Sequence, residues 1–240
     1  MTISPQLDGR VAIVTGGSRG IGFATAAALL ARGARVAISG RSAEALKAAE
    51  GRLQAGGNLL SVQGDVAREA DVERLVTETV AKFGGLDILI NNAGIGRFAN
   101  VADLSTEAWR NIIETNLTGV FFGCRAAIPH LKRRGGGWII NISSLAGRNS
   151  FAGGAAYCAS KSGLNAFTES LMLEVRYDNI RVSTVMPGSV QTGFGGSEEA
   201  GADWKLASED VAEVITDLLA HPARSLPSRV ELRPAKPKQR

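Results

Sequence analysis

The sequence predicts a doubly wound α/β fold: a seven-stranded, mostly parallel sheet with helices on both faces. Three observations predict it. Short apolar runs alternate with longer stretches of helical periodicity along nearly all of the 240 residues. The runs are continuously apolar, as strands buried on both faces are, rather than alternating apolar and polar. Twenty-nine glycines against seven prolines point to many tight strand–helix turns rather than to disorder. Parallel strands need right-handed crossovers, and winding them in both directions from the middle covers both faces of the sheet.

Each element follows in order. Val11-Ala12-Ile13-Val14 is a first strand ending in a glycine turn, and an alanine-rich helix runs from there to about Arg32. Arg35-Val36-Ala37-Ile38-Ser39 is the second strand, with a helix from Ala43, and Leu59-Leu60-Ser61-Val62 is the third. A helix over 69–83 sets Val72, Leu75, Val76, Thr79 and Val80 on one stripe. Asp87-Ile88-Leu89-Ile90 is the fourth strand. Helical segments fill about 105–134 and stop at Gly135-Gly136-Gly137. Trp138 to Ile142 is the fifth strand, and a helix from near Ala155 to near Asp178 follows. Ile180 to Met186 is the sixth strand, stopped by Pro187-Gly188. A helix over 208–220 and a strand over 229–232 close the fold. With no repeat and no long linker, residues 1–240 read as one domain, with a short substrate loop at 193–205, a candidate mobile stretch within it at 195–201, and a basic tail at 233–240.

Composition narrows the classes. Arg233, Lys236, Lys238 and Arg240 account for the whole formal net charge of +4, so the body of the chain is neutral. That tail reads as a frayed, soluble end, and no nucleic-acid or membrane partner is expected. No apolar stretch is long enough for a membrane span, and the N-terminus has no secretory pattern. Cys124 and Cys158 fall in helices and read as buried free thiols of a reducing, cytoplasmic compartment. No Cys/His cluster has metal-ligand spacing, so no metal is expected.

Three constellations carry chemistry. Tyr157 and Lys161 stand four apart on a predicted helix, so phenol and ammonium share a face. An ammonium at about 4 Å lowers a phenol pKa by at most roughly three units, before the opposing desolvation. Such a pair suits a general acid/base near neutrality, although many surface Tyr–Lys pairs have the same spacing. Second, Thr15-Gly16-Gly17-Ser18-Arg19-Gly20-Ile21-Gly22 lies between the first strand and first helix, where backbone N–H groups can meet a pyrophosphate. Third, the second strand ends Ser39-Gly40-Arg41-Ser42 without the carboxylate that would bind a free ribose 2′-hydroxyl. Arg41 and Arg19 instead suit a 2′-phosphate, which points to NADP(H) in preference to NAD(H).

These motifs, in this order, resemble the short-chain dehydrogenase/reductase family of compact, single-domain Rossmann enzymes. The likeness covers about residues 7–192 and extends to carbonyl reductases of the 3-oxoacyl-carrier-protein reductase kind. It implies that Gly16, Ser18, Arg19, Gly20, Ile21 and Gly22 hold the pyrophosphate turn and that Asp65-Val66 contacts adenine. Asn91-Asn92-Ala93-Gly94 matches the family's Asn-Asn-Ala-Gly, and Asn92, Ala93 and Gly94 would line the cofactor. Pro187-Gly188-Ser189-Val190-Gln191-Thr192 resembles its Pro-Gly-x-Val-x-Thr, placing Pro187, Gly188, Val190 and Thr192 beside the nicotinamide. The implied catalytic set is Asn116, Ser144, Tyr157 and Lys161. Tyr157 would donate the proton and Ser144 would bond the carbonyl oxygen. Lys161 would lower the tyrosine pKa and hold the nicotinamide ribose, and Asn116 would fix a relay water. Ser143 competes with Ser144, but family spacing favours Ser144.

The implied reaction is hydride transfer between nicotinamide and a small-molecule carbonyl or secondary alcohol. Three alternatives stay open: a specific 3-oxoacyl-carrier-protein reductase, a non-catalytic NADP-binding sensor or scaffold, and a methyltransferase on a similar sheet, which the two arginines disfavour. Helices near 105–134 and 155–178 would pair subunits into a homodimer or homotetramer. The chain departs from the family in a short glycine-rich lid after Thr192, which suggests an open site for a broad or bulky carbonyl. Phe98, Phe151, Phe194 and Trp204 are expected as its walls. Its last strand also runs into Leu232-Arg233-Pro234 instead of a glycine-rich turn.

Overall fold

The computed structural model describes residues 7–194 and 203–237. Seven strands are β1 Val11–Thr15, β2 Arg35–Gly40, β3 Leu59–Gln63, β4 Ile88–Asn91, β5 Gly137–Ile142, β6 Ile180–Pro187 and β7 Arg229–Leu232. Seven α-helices are α1 Gly20–Leu30, α2 Ala43–Leu53, α3 Glu69–Phe83, α4 Thr106–Ile113, α5 Gly119–Arg133, α6 Ala155–Val175 and α7 Ser208–Ala220. The strands form one sheet in the order β3-β2-β1-β4-β5-β6-β7. All six pairings are parallel, which sharpens the expectation of a mostly parallel sheet.

Side-chain alternation along each strand feeds two cores. Ala12, Val14, Val36, Ile38, Ile88, Ile90 and Ile140 face α1, α2 and α7. Val11, Ile13, Ala37, Leu89, Ile139 and Val182 face α3, α5 and α6. Continuous apolar runs are therefore required, because either face is buried. The order reverses between β1 and β4, so the carboxyl ends of β1, β2, β4, β5 and β6 open onto the crevice where such sheets bind ligands.

Two differences from the sequence reading bear on the site. The helical segment expected over 105–134 is divided by a π-helical turn, Glu114–Thr118. The wider turn carries Asn116 fully buried into the molecule. The tail is also docked at its start: Arg233 pairs with Glu231 at 2.8 Å, and a methyl at Gly188 would lie 3.1 Å from the Pro234 ring. Lys238, Arg240 and the 195–202 stretch of the expected lid lie outside the described residues.

Candidate functional site

Thr15 closes β1, and its hydroxyl accepts the backbone N–H groups of Asn92 and Ala93, each at 3.0 Å. The Asn92 side chain returns hydrogen bonds to the carbonyls of Thr15 at 2.9 Å and Gly16 at 3.3 Å. The turn after β1 is thereby bolted to the end of β4. Gly16 has φ +66°, and a Cβ on it would stand 3.0 Å from both Ala93 Cα and Asn92 Nδ2. At Gly22 a Cβ would stand 2.5 Å from that same amide. These two glycines are demanded by the protein's own close approach. Sequence reasoning gave Thr15 no role beyond its place in the motif; its signal was a hydroxyl ending an otherwise apolar strand.

The N-terminus of α1 is open. Arg19 caps it with extended backbone and no side-chain hydrogen bond, and no acidic residue sits in the first turn. Its leading N–H groups and dipole are therefore free for an anion. Ile21 packs its side chain against the core, leaving its backbone to the turn. Ser18 lies beside the end of β2, since a Cβ on Gly40 would be 3.5 Å from Ser18 Oγ. Arg19 and Arg41 are both exposed, and among the described residues neither forms an ion pair. At the end of β3, Asp65 accepts the N–H of Ala67 at 3.0 Å, and the Val66 carbonyl backs onto Gly119 at the head of α5. This cradle fits an anionic dinucleotide. It combines a close-packed glycine turn, uncapped helix donors without a carboxylate, and the exposed Arg41 directly after β2.

The opposite wall is the Pro187–Thr192 segment. Gly188 N–H donates to Leu232 O at 2.8 Å, and Val190 bridges to Leu206. Thr192 leans over the glycine turn: a Cβ on Gly20 would be 3.2 Å from the Thr192 side chain.

The four expected catalytic residues converge between these walls. α6 carries Tyr157, Ser160 and Lys161 on adjacent turns. Lys161 is 4% exposed and donates to the Ile142 carbonyl at 2.8 Å. Asn116 Oδ1 accepts Ile95 N–H at 2.8 Å, and its Nδ2 donates to Ile95 O at 2.9 Å and Ser160 Oγ at 3.1 Å. Both amide protons are thus committed to protein acceptors, and one Oδ1 lone pair is left over. Ser160 in turn donates to Tyr157 O at 2.7 Å. Gly94 lies where these groups meet, since a Cβ there would be 3.4 Å from Asn116 Oδ1 and 3.7 Å from Lys161 Nζ. The two serines separate clearly. Ser143 is buried and donates to the Lys161 backbone carbonyl at 3.3 Å, whereas Ser144 caps the short turn Leu145–Gly147 and hydrogen-bonds Tyr157.

Charge behaves differently from the sequence expectation. Lys161 was expected to hold the Tyr157 pKa down. Burial instead pushes the phenol above its ordinary value, and the hydrogen bond with Ser144 only partly offsets this. The lysine ammonium is 5.9 Å from the phenol ring centroid and tied to Ile142, and burial pushes its own pKa down to about 8. Desolvation dominates both groups.

Three of the four expected walls join one aromatic cluster with Tyr157. Phe98 meets its ring edge-on at 5.7 Å and 84°, Phe194 meets it at 5.7 Å, and Phe151 stands 5.6 Å behind Phe98. Trp204 makes no ring contact with that group; Lys205 lies over it. Beneath the site, Asn91 donates to Asn141 at 2.8 Å and Asn141 to Thr168 at 2.9 Å, a buried polar rail joining β4, β5 and α6. Sequence reasoning did not find Asn141 or Thr168. Their only signal was a polar residue inside an apolar strand or helix face. Among the described residues no group of three His, Cys, Asp or Glu could hold a metal ion, and no helix is long and apolar enough to cross a membrane.

Comparison with known proteins is consistent with this geometry. The short chain dehydrogenase family model matches residues 10–203. The chain is 40% identical over 188 residues to 2-(R)-hydroxypropyl-CoM dehydrogenase of Xanthobacter autotrophicus, covering 76% of this chain and 75% of that protein. It is 39% identical over 188 residues to 3-oxoacyl-[acyl-carrier-protein] reductase of Synechocystis sp., covering 78% and 76%. The solved structure of an alcohol dehydrogenase from Thermococcus sibiricus, complexed with 5-hydroxy-NADP, superposes with a TM-score of 0.88. That structure is 30% identical and covers 96% of this chain and 99% of its own. The chain belongs to the short-chain dehydrogenase/reductase family of oxidoreductases.

Proposed function

We propose that the protein is an NADP(H)-dependent carbonyl reductase, reversible as a secondary-alcohol dehydrogenase, with Tyr157 as general acid/base. The observation that carries it is the linked set at the carboxyl ends of β4 and β5: Asn116 and Lys161 meet at Gly94, Lys161 faces the Tyr157 ring, and Ser144 acts on the Tyr157 phenol. The cofactor reading draws support from the carboxylate-free end of β2, the exposed Arg19 and Arg41 beside Ser18, and the 5-hydroxy-NADP held by the Thermococcus sibiricus enzyme.

When bound, the nicotinamide supplies the hydride for the carbonyl carbon. Gly16, Ser18, Arg19, Gly20, Ile21 and Gly22 would hold the pyrophosphate, Arg19 and Arg41 the 2′-phosphate, and Asp65 and Val66 the adenine. Asn92, Ala93, Gly94, Pro187, Gly188, Val190, Thr192, Tyr157 and Lys161 would line the nicotinamide half. Tyr157 gives its proton to the carbonyl oxygen as the C–O bond becomes single. A pKa raised by burial keeps the phenol protonated at rest, the state that a donor to a ketone needs. Ser144 donates a hydrogen bond to the same oxygen as negative charge grows there. Lys161, poised near 8, stabilises the phenolate left behind and returns the proton. With both Asn116 amide protons committed, a relay water could use only its remaining Oδ1 lone pair or a nearby backbone carbonyl.

One domain would hold both cofactor and substrate. Exposed Trp109 on α4 and Phe121 on α5 support pairing into a homodimer or homotetramer, which light scattering would resolve. Two buried free thiols suit the reducing cytoplasm.

The test is a fluorescence titration with NADPH and with NADH, followed by a carbonyl panel with Tyr157→Phe. Much tighter NADPH binding, and a variant that binds cofactor but turns over about 10²- to 10⁴-fold more slowly, are expected. Wild-type turnover by Tyr157→Phe removes the acid–base role. Equal or tighter NADH binding removes the NADP(H) preference. Binding of neither removes the nicotinamide reading altogether.

A further inference from the structure

We infer that the substrate is a ring-bearing carbonyl, of the aryl ketone class, recognised by Phe98 and Phe194 beside the Tyr157 ring. This rests on the carbonyl-reductase reading and adds the substrate class to it. Among the described residues eight large hydrophobic side chains are exposed; two of them, Phe98 and Phe194, pack on this tyrosine, and a third, Phe151, packs on Phe98. Phe98, Phe151 and Phe194 leave 47%, 47% and 37% of their surface uncovered. A cluster of exposed rings at a reacting group is surface waiting for an apolar ligand.

The backbone is cut to seat these rings. A Cβ on Gly96 would stand 2.6 Å from the Phe194 ring and 3.1 Å from Phe98. A Cβ on Gly154 would stand 2.6 Å from Phe151. Glycine at both positions lets the rings lie against main chain, so they form a continuous strip spaced 5.6–5.7 Å from Phe194 through Tyr157 and Phe98 to Phe151. The tilted and edge-on angles leave ring faces and edges open to an aromatic guest, which favours offset or edge-to-face contact. Other rings of this protein carry an arginine or lysine over them, as Phe23, Phe121 and Trp138 do. Among the described residues no cation lies over Phe98, Phe151 or Phe194, so their ring faces are not taken up by a side-chain cation.

The test compares kcat/KM of the NADPH-loaded enzyme for acetophenone, 2-butanone and acetoacetate. Acetophenone should exceed 2-butanone and acetoacetate by about tenfold or more, from the larger apolar area buried. Phe98→Ala and Phe194→Ala should each lower the acetophenone to 2-butanone ratio about three- to tenfold, mainly through KM, and Phe98→Trp should restore it. An unchanged ratio in both alanine variants, or a preference for acetoacetate, overturns the inference. Saturation-transfer NMR of 1-phenylethanol provides a readout independent of turnover. Ring-dependent binding that Phe98→Ala abolishes, with no carbonyl reduced, keeps the ring recognition and sinks the reductase reading. Turnover of all three ketones at equal efficiency does the reverse.

Discussion

Asn116→Ala tests whether this asparagine is first of all a clamp. The side chain is fully buried and makes three hydrogen bonds, two to the Ile95 backbone at 2.8 and 2.9 Å and one to Ser160 at 3.1 Å. Three bonds at about 1 kcal/mol net each give about 3 kcal/mol. Leaving the Ile95 N–H and C=O without partners raises the loss toward about 5 kcal/mol if water cannot reach them. The same loss frees the 94–98 segment, which carries Gly94 under Lys161 and Phe98 beside Tyr157. The variant should therefore unfold at lower urea, by about 3 kcal/mol at an unchanged slope, and show a raised KM together with a lowered kcat. A loss of stability below about 1 kcal/mol would refute the clamp. A normal KM with kcat alone reduced would return Asn116 to a purely relay role.

Two further perturbations probe charge. Arg41→Asp should reduce the preference for NADPH over NADH by at least about tenfold, because a carboxylate replaces a phosphate partner and can accept a ribose hydroxyl; an unchanged ratio of kcat/KM removes Arg41 from the 2′-phosphate site. Lys161 is pushed by burial from its ordinary value to about 8, so between about pH 8 and 10 the unfolded chain binds the extra proton and stability rises with pH through this group. Urea midpoints should increase from pH 8 to pH 9.5 in wild type, and Lys161→Met should flatten that rise; parallel curves for the two proteins would show that the lysine is not desolvated.

Much of the architecture was legible because local pattern and tertiary demand coincide. The helices at 69–83 and 208–220 and the strand at 229–232 have the bounds that periodicity predicts, since each is an amphipathic or apolar segment with an evident stop. The break at 114–118 was not legible, because Glu114-Thr115-Asn116-Leu117-Thr118 has ordinary helical composition. Its widening accompanies hydrogen bonds between Asn116 and Ile95, twenty-one residues back along the chain. The Asn91–Asn141–Thr168 rail escaped for the same reason: its members come from three elements that meet only in the sheet and its covering helix.

The sequence by itself determined the strand–helix alternation, the glycine turn at the first strand, the serine just after the fifth strand and the tyrosine and lysine on the sixth helix. These are properties of nearest neighbours along the chain and of residue chemistry. Only the tertiary structure decided the electrostatic balance and the shape of the site. Spacing placed Lys161 beside Tyr157, but packing turned its ammonium to the Ile142 carbonyl and surrounded the phenol with rings, so desolvation outweighed the charge pair. Phe98, Phe151, Phe194 and Trp204 were equal candidates in the sequence. Folding brought two of them to the tyrosine and a third behind Phe98, because dielectric environment and contact depend on what surrounds a group in space, which no spacing along the chain encodes.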